Sequence, residues 1–417
     1  MQPRVLLLNQ PDSVMGDVLI RGLSALGTPF QVIDYQPVYH LAASDMDYGL
    51  LEKTVDAFHP DFLLTFQTGP MVRKRRDTAP SSKTYPSRLE DYIRRQNLRM
   101  ACWLIDYPLS VPWNEKVTQF KGLSSNLTFF CIDPTWVPDL TSLGLKAHYL
   151  PYAGCPDIFY QLAVPSDTYD QVVCFVGSLS FGSFSLKGIE ETILNGVKAA
   201  GLGDAAAFIK EIGQTVDHIM ARPPESIREI VAQHMAGWEL DQPTLEDIVC
   251  LLTYMASILF RVSALQSVPQ EVLTVYGDYA WQRHLPKARI AGPVKIELLP
   301  QIYRRSYINL VANRFHFPYG LTQRDFDIPL AGGLALVDER PGLYDSFDSS
   351  ELAVYRQLTE IPEKIHFFLA NPGIRNELIR NAQKRILAQH TFENRLETLI
   401  KLMTDEIQTP ERPPASA

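Results

Sequence analysis

The chain has 417 residues, of which 46% are hydrophobic and 21% are charged, the composition of a globular protein long enough for two cores. Its formal net charge of −8 argues against a nucleic-acid-binding protein, whose phosphate contacts need a basic surface. The five cysteines are widely spaced and form no CxxC pair, so neither a zinc site nor a disulfide framework is predicted. This cysteine usage fits a reducing compartment, and we expect a cytoplasmic protein.

The N-terminal part of the chain alternates short apolar runs with segments of helical periodicity. The runs are Val5–Leu8, Phe30–Ile33, Phe62–Phe66, Met100–Ile105, Leu127–Ile132 and Ala147–Leu150. Nearly continuous apolar character is typical of parallel strands that are covered on both faces. The alternation predicts a Rossmann-like domain over residues 1–160, with ligands beyond the carboxyl ends of its strands. No GxGxxG follows the first run, which argues against a dinucleotide-dependent dehydrogenase.

Targeting and membrane segments are not predicted. The first apolar run, Val5–Leu8, is too short for the core of a signal peptide. The longest apolar window, Ile248–Phe260, is shorter than a membrane span, so we expect no integral membrane segment. Residues 68–99 are polar and contain proline and arginine, and we predict a long loop there.

A second alternating region follows a linker-like segment that is rich in proline, glycine and aspartate. Its predicted strands are Val172–Val176, Val272–Tyr276, Arg289–Ala291, Tyr307–Val311 and Leu334–Val337. We predict a second Rossmann-like domain over residues 161–390 with a helical insertion at about 186–266. The insertion could package the core, form an oligomer contact or shape the acceptor side. Residues 391–417 are predicted to form a helix that crosses back to the first domain, and a flexible tail.

One stretch of the second region combines features of an anion site. A loop follows the strand Tyr307–Val311 and leads into a short predicted helix, Arg324–Ala331. The free amides of a helix start can bind a phosphate, and the Arg324 guanidinium suits the same ligand. Asp327, one turn further, could accept a hydrogen bond from a sugar hydroxyl. Strand, loop and helix units of this kind also occur without ligands, and residue types alone leave that alternative open.

The order of motifs in this stretch resembles the CgeB-like glycosyltransferases. The matching elements are Ile308-Asn309-Leu310, Arg324-Asp325-Phe326-Asp327, Ala331-Gly332-Gly333 and Asp338 followed by Pro341-Gly342-Leu343. The resemblance implies a GT-B fold, in which two Rossmann-like domains face each other across a cleft. It also implies transfer of a sugar from a nucleotide diphosphate, with UDP-sugars favoured and no further cofactor. The acceptor would be a protein, a glycan or a small molecule, and a homo-oligomer is compatible with it.

The resemblance further implies donor-binding residues at the carboxyl ends of the second sheet. Gly177 and Ser178 would lie near the diphosphate. Gly277, Asp278 and Tyr279 would flank the base, with Trp281 as a second stacking aromatic. The donor set is completed by Tyr319, Gly320, Arg324 and Asp327.

Two acids in this stretch share the spacing of a metal-binding pair. Asp325 and Asp327 stand at a helix start, where capping or ribose contacts are favoured, so no metal site is predicted. Retaining enzymes of this fold often carry an acid eight positions before the ribose-contacting one. The chain has Tyr319 at that position, which leaves the stereochemistry open.

The predicted catalytic residues lie in the first domain. Asp106 ends an apolar strand, where partial desolvation would raise its pKa toward that of a general base. His40 is a weaker candidate. Two alternatives to a transferase are a catalytically degenerate GT-B binding or assembly protein, favoured by Tyr319, and a GT-B nucleotide-sugar epimerase.

Overall fold

The computed structural model of the chain describes residues 2–11, 14–38, 43–67, 72–73, 85–86, 88–106, 123–160, 168–179, 185–199, 205–221 and 227–408. The chain divides into two compact units, the first made of Met1–Tyr152 with Phe392–Ala417 and the second of Ala153–Thr391. Each unit contains one predominantly parallel sheet with alternating helices, so the predicted fold class of two Rossmann-like domains is confirmed.

The first unit has a seven-stranded sheet with the order β3-β2-β1-β4-β7-β8-β9. Its strands are β1 Val5–Asn9, β2 Phe30–Val38, β3 Ala43–Met46, β4 Phe62–Phe66, β7 Met100–Leu104, β8 Leu127–Cys131 and β9 Lys146–Tyr149, and a separate pair is β5 Val72–Arg73 with β6 Tyr85–Pro86. Its helices are α1 Val14–Ala25, α2 Tyr48–Phe58, α3 Arg88–Gln96, α4 Trp136–Ser142 and the C-terminal helix Phe392–Gln408. All pairings in the seven-stranded sheet are parallel except that of β2 with β3.

The prediction of one long loop over residues 68–99 is wrong in its last part. Helix α3 forms there because Leu89, Tyr92 and Ile93 stand three and four residues apart, and all three side chains are buried. In the C-terminal helix, Leu396 packs against α1, where a Cβ added to Gly22 would lie 2.5 Å from the Leu396 side chain. The predicted tail after residue 408 lies outside the described residues.

The second unit has a six-stranded, fully parallel sheet with the order β12-β11-β10-β13-β14-β15. Its strands are β10 Gln171–Val176, β11 Leu273–Tyr276, β12 Arg289–Ile290, β13 Ser306–Leu310, β14 Ala335–Asp338 and β15 Ala353–Tyr355. Its helices are α5 Pro156–Phe159, α6 Leu186–Ala199, α7 Ala205–Ala221, α8 Ile227–Met235, α9 Gln242–Gln266, α10 Leu299–Arg304, α11 Gln323–Leu330, α12 Pro341–Ser346, α13 Glu360–Ala370 and α14 Pro372–Gln389, and 3-10 turns cover Gln270–Val272, Tyr279–Arg283 and Ile296–Leu298.

The helices α6 to α9 occupy the span of the predicted insertion, between β10 and β11. Helix α9 begins at Gln242, because Asp241 accepts a hydrogen bond from the amide of Thr244 at 2.9 Å and caps the helix. Within the described residues, the stretch Thr244–Gln266 is the one long and apolar enough to cross a membrane. However, 78% of its most apolar window is buried inside the protein, as expected of a core helix.

The strand order places a topological switch point in each sheet. In the second unit, β10 pairs with β11 on one side and with β13 on the other, so the connections leave β10 and β13 in opposite directions. Ligands of parallel α/β sheets bind outside the carboxyl ends of the strands at such a point. The residues that follow β10, β11, β13 and β14 are therefore the ones to consider for a site.

Candidate functional site

The turns after β10 and β11 lie against each other. A Cβ added to Gly277 would lie 2.2 Å from the carbonyl oxygen of Gly177, so a side chain at position 277 would force the two backbones apart. The Gly177 amide donates to the Tyr276 carbonyl at 2.9 Å, and its own carbonyl accepts from the Trp281 indole at 2.9 Å. Trp281 is fully buried, which makes the predicted stacking of Trp281 on a base wrong.

Asp278 and Tyr279 have different environments beside these turns. The Asp278 carboxylate accepts from the amide of Leu179 at 2.8 Å and from that of Ala280 at 3.1 Å, and so joins the loops after β10 and β11. Tyr279 is 62% exposed, and its ring lies over Gly292, where a Cβ would approach the phenol oxygen to 2.7 Å. Tyr279 is therefore an accessible aromatic surface at the carboxyl edge.

The loop from β13 to α11, residues 311–322, is held by a buried polar network. The amide of Asn313 donates to Asp338 at 2.9 Å, and the Asn313 side-chain oxygen accepts from the Thr322 hydroxyl at 2.9 Å. Asp325 closes the network, since its carboxylate accepts from the Thr322 amide at 2.7 Å and forms a capping box with that residue. Asp325 thus caps the start of α11, and the Thr322 amide is bonded to this carboxylate rather than free for an external anion.

The acid–base state of this helix start follows from its burial. Desolvation and the charge of Asp338 raise the pKa of Asp325 to about 6, although hydrogen bonds from Thr322 and the charge of Arg324 oppose the rise. Arg324 is half-buried, and no hydrogen bond or ion pair of its side chain joins it to the residues that the structure describes. A guanidinium in this state is available to an external anion.

Three further arginines surround the same edge, and sequence reasoning did not single them out. Arg340, 2% exposed, donates to Asp338 at 2.6 Å and to the carbonyl of Phe317. Burial lowers the pKa of Arg261 well below its ordinary value, and the positive charges of Arg314, Arg324 and Arg340 lower it further, although the charge of Asp338 opposes the fall. Four arginines therefore interact electrostatically around the carboxyl ends of β10, β13 and β14, an excess of positive charge that favours an anionic ligand.

Asp327 lies on the buried side of α11 and is 6% exposed. Desolvation raises the pKa of its carboxyl well above the ordinary value, against a hydrogen bond from the backbone of Cys155 and the charge of Arg324. One of its oxygens, Oδ1, is buried and has no hydrogen-bond partner within the described part of the chain. The hydrogen bond from Cys155 gives Asp327 a partner within the fold. Its contact with a ribose stays a prediction.

Asp327→Asn is expected to make stability less dependent on pH. A carboxyl whose pKa is raised in the folded state stabilises the fold below its unfolded pKa, and this contribution is lost as the pH rises toward the folded value. The parent should therefore lose up to about 1.4 kcal/mol per pH unit relative to the variant above about pH 4. Urea denaturation of both proteins across this range measures the difference, and parallel curves would contradict the burial of a protonated Asp327.

Tyr319 and Gly320 lie in the same loop, near α12. The Tyr319 phenol donates to the Asp345 carboxylate at 2.5 Å, and the Tyr319 carbonyl accepts from the Gly342 amide at 3.1 Å. Gly320 is buried. Asp345, which stands 26 positions further along the chain, is thus the carboxylate that lies beside position 319.

In the first unit, Asp106 follows β7 at the carboxyl edge of the sheet and is half-buried. Its carboxylate accepts from the Gln67 side-chain amide at 2.8 Å, and Gln67 follows the neighbouring strand β4 with a φ of 65°. The hydrogen bond from Gln67 orients the carboxylate, and the positive φ of Gln67 is uncommon for a residue other than glycine. The other predicted catalytic residue, His40, lies outside the described residues.

Among the described residues, no group of three or more His, Cys, Asp or Glu side chains is arranged to hold a metal ion.

Comparisons with known proteins agree with this architecture. Residues 259–401, less than half of the chain, match a family model described as glycosyl transferase-like. No curated protein matches the chain significantly. Sucrose-phosphate synthase from Thermosynechococcus elongatus has a similar structure, with a TM-score of 0.54 and 11% identity over 98% of this chain and 100% of that one.

Two similar structures contain nucleotides. Phage T4 BGT with its UDP-glucose substrate gives a TM-score of 0.52 and 10% identity over 97% of this chain and 100% of that one. Anabaena HepE with UDP and glucose gives a TM-score of 0.50 and 11% identity over 97% of this chain and 100% of that one. At such identities the likeness shows the fold, which is that of the GT-B glycosyltransferases. This chain thus has the fold of these structures, and its residues 259–401 match the glycosyl transferase-like family model.

Proposed function

We propose that the protein is a glycosyltransferase that moves a sugar from a nucleoside-diphosphate donor, UDP-sugars being favoured, to an acceptor hydroxyl on a protein, a glycan or a small molecule. The observation that carries this proposal is the arginine cluster at the switch point of the second sheet. Arg324 there has no partner among the described residues and lies within the glycosyl transferase-like segment. The UDP in the HepE and T4 BGT structures is consistent with this donor class.

The chemistry of the transfer assigns roles to the two carboxyl edges. When the bond between the anomeric carbon and the diphosphate oxygen breaks, the diphosphate gains negative charge, and Arg324 with Arg314 neutralises it. In a direct displacement, the acceptor hydroxyl gives its proton to the carboxylate of Asp106 as its oxygen bonds to the anomeric carbon. Gln67 orients that carboxylate. Tyr279 offers its exposed ring to the base, by stacking.

The subfamily, the metal dependence and the cellular location belong to the same proposal. The ordered motifs of the second unit support a CgeB-like subfamily. The arginines supply the positive charge that a divalent cation would otherwise give to the leaving group, so we infer donor binding without a metal. T4 BGT is also known with UDP and Mn²⁺, which makes the metal dependence worth measuring. All five cysteines are buried and none forms a disulfide bond, which supports a reducing, cytoplasmic location.

A nucleotide panel tests the function directly. UDP, GDP, TDP and CMP are added to the protein in EDTA and, separately, in excess Mg²⁺ or Mn²⁺, and the melting temperature is measured. A ligand of the folded state raises the midpoint in proportion to the logarithm of its concentration above Kd. We expect UDP to raise the midpoint equally in EDTA and in metal, and a metal requirement would overturn the metal-free part.

Turnover separates the transferase from its alternatives. The UDP-sugar of highest affinity is incubated with the protein without acceptor, and free UDP and free sugar are measured. Slow hydrolysis is expected, with water as the acceptor. Binding without release of UDP would favour the binding or assembly protein, and conversion to another UDP-sugar would favour the epimerase. Binding of no nucleotide at all would overturn the proposal.

A further inference from the structure

The last helix of the insertion, α9, contacts the loop at residues 311–322 directly. The Ser257 hydroxyl of α9 accepts from the amide of Phe315 at 2.9 Å. The ring of Phe260, one turn further along α9, lies 5.0 Å from that of Phe315. These side chains share one face of the helix, because they stand three residues apart. The insertion is therefore packed against the loop that carries Arg314 and leads to Arg324.

Arg261 extends this contact to the other side of the switch point. Its Nε donates to the carbonyl of Ala312 at 2.9 Å, and its Nη1 donates to the carbonyl of Ser178 at 3.1 Å. Ala312 follows β13 and Ser178 follows β10, and these two strands are neighbours in the sheet. The guanidinium lies 5.8 Å from the centre of the Phe175 ring. A single side chain from the insertion thus joins the two loops between which a ligand of this sheet would bind.

The charge of Arg261 is not required by this packing. The residue is 2% exposed, and no carboxylate within the described residues lies within ion-pair distance of it. A buried and unpaired cation is costly, and apolar side chains of similar volume often replace buried charges without loss of stability. Three neighbouring arginines add repulsion. An anion bound between the two loops would compensate both the burial and the repulsion.

We propose that the helical insertion supports the donor site, with Arg261 as the positioning residue whose hydrogen bonds to the Ser178 and Ala312 carbonyls hold the two loops in place around the diphosphate. This inference rests on the proposed function, because the diphosphate is that of the nucleotide donor. It assigns the insertion to the donor side of the reaction. A loss of Arg261 lets the two loops move apart and removes positive charge from the place where the diphosphate binds.

The experiment compares Arg261→Gln and Arg261→Lys with a matched control, Arg375→Gln. Arg375 is fully buried in the same unit and also donates to a carbonyl, that of Tyr307 at 2.8 Å. Tyr307 lies near the start of β13, at the opposite end of the strand from Ala312. Both substitutions to glutamine remove a buried guanidinium, so the control reproduces the loss of stability without touching the switch point. Titration calorimetry then measures Kd for UDP and for UMP at a temperature where every variant is folded.

We expect Arg261→Gln to raise the Kd for UDP by about tenfold or more. The Kd for UMP should rise by less, because UMP lacks the second phosphate that the loss of Arg261 affects. The Kd of Arg261→Lys for UDP should lie between those of the parent and of Arg261→Gln. The lysine variant is measured in place of the glutamine variant if the latter does not fold. Arg375→Gln should leave both Kd values near those of the parent. Equal Kd values for the Arg261 and Arg375 variants would overturn the inference, whereas a parent that binds no UDP would overturn the proposed function itself.

Discussion

Arg324→Ala is expected to raise the Kd for UDP by about 10- to 100-fold and to leave the melting temperature of the free protein nearly unchanged. The affinity falls because the guanidinium has no partner among the described residues, so its hydrogen-bonding capacity is available to the diphosphate. The stability is retained for the same reason, since the side chain makes no hydrogen bond or ion pair within the described part of the protein. Titration calorimetry with UDP and a thermal melt of the ligand-free variant measure the two quantities.

The control for this variant is Arg380→Ala, which removes the same charge from an exposed arginine of α14. It should change the Kd for UDP only through the general electrostatic field, which salt screens. An unchanged UDP affinity in Arg324→Ala would exclude Arg324 from the phosphate site. Equal losses in both variants would mean that the net charge of the unit is responsible, and not a contact at the start of α11.

The strands could be predicted from sequence because both faces of a parallel sheet are buried. Val5–Leu8 and Phe62–Phe66 are continuous apolar runs, and the observed β1 and β4 differ from them by one residue at most. Strand β15 was missed, since Ala353–Tyr355 is three residues long and gives too short a run to recognise. The edge strand β3 was missed because Ala43–Met46 contains serine and aspartate.

The candidate site could be predicted only in part, because a motif identifies a segment and not the direction of its side chains. The sequence predicted the helix that begins near Arg324, and α11 forms there, but it gave no sign that Asp327 is buried with an unbonded oxygen. The Arg261 and Asp345 contacts join residues that are far apart in sequence, at separations of 51 residues to Ala312 and 26 to Tyr319. In the sequence, Arg261 is the single basic residue of an apolar helix, and nothing there shows that it faces the sheet.

Asp106→Asn is expected to lower the turnover number by about 10²- to 10⁴-fold while leaving the Kd for the UDP-sugar unchanged. An asparagine oxygen can still accept the hydrogen bond from Gln67, so the geometry is kept and the capacity to accept a proton is lost. Asp133→Asn is the matched control, because Asp133 follows the next strand, β8, where it accepts from the Thr135 amide at 2.9 Å as a turn cap. Hydrolysis of the UDP-sugar is measured for all three proteins. Equal rates for the parent and Asp106→Asn would reject Asp106 as the base, and an equal loss in both variants would assign the effect to folding of the first unit.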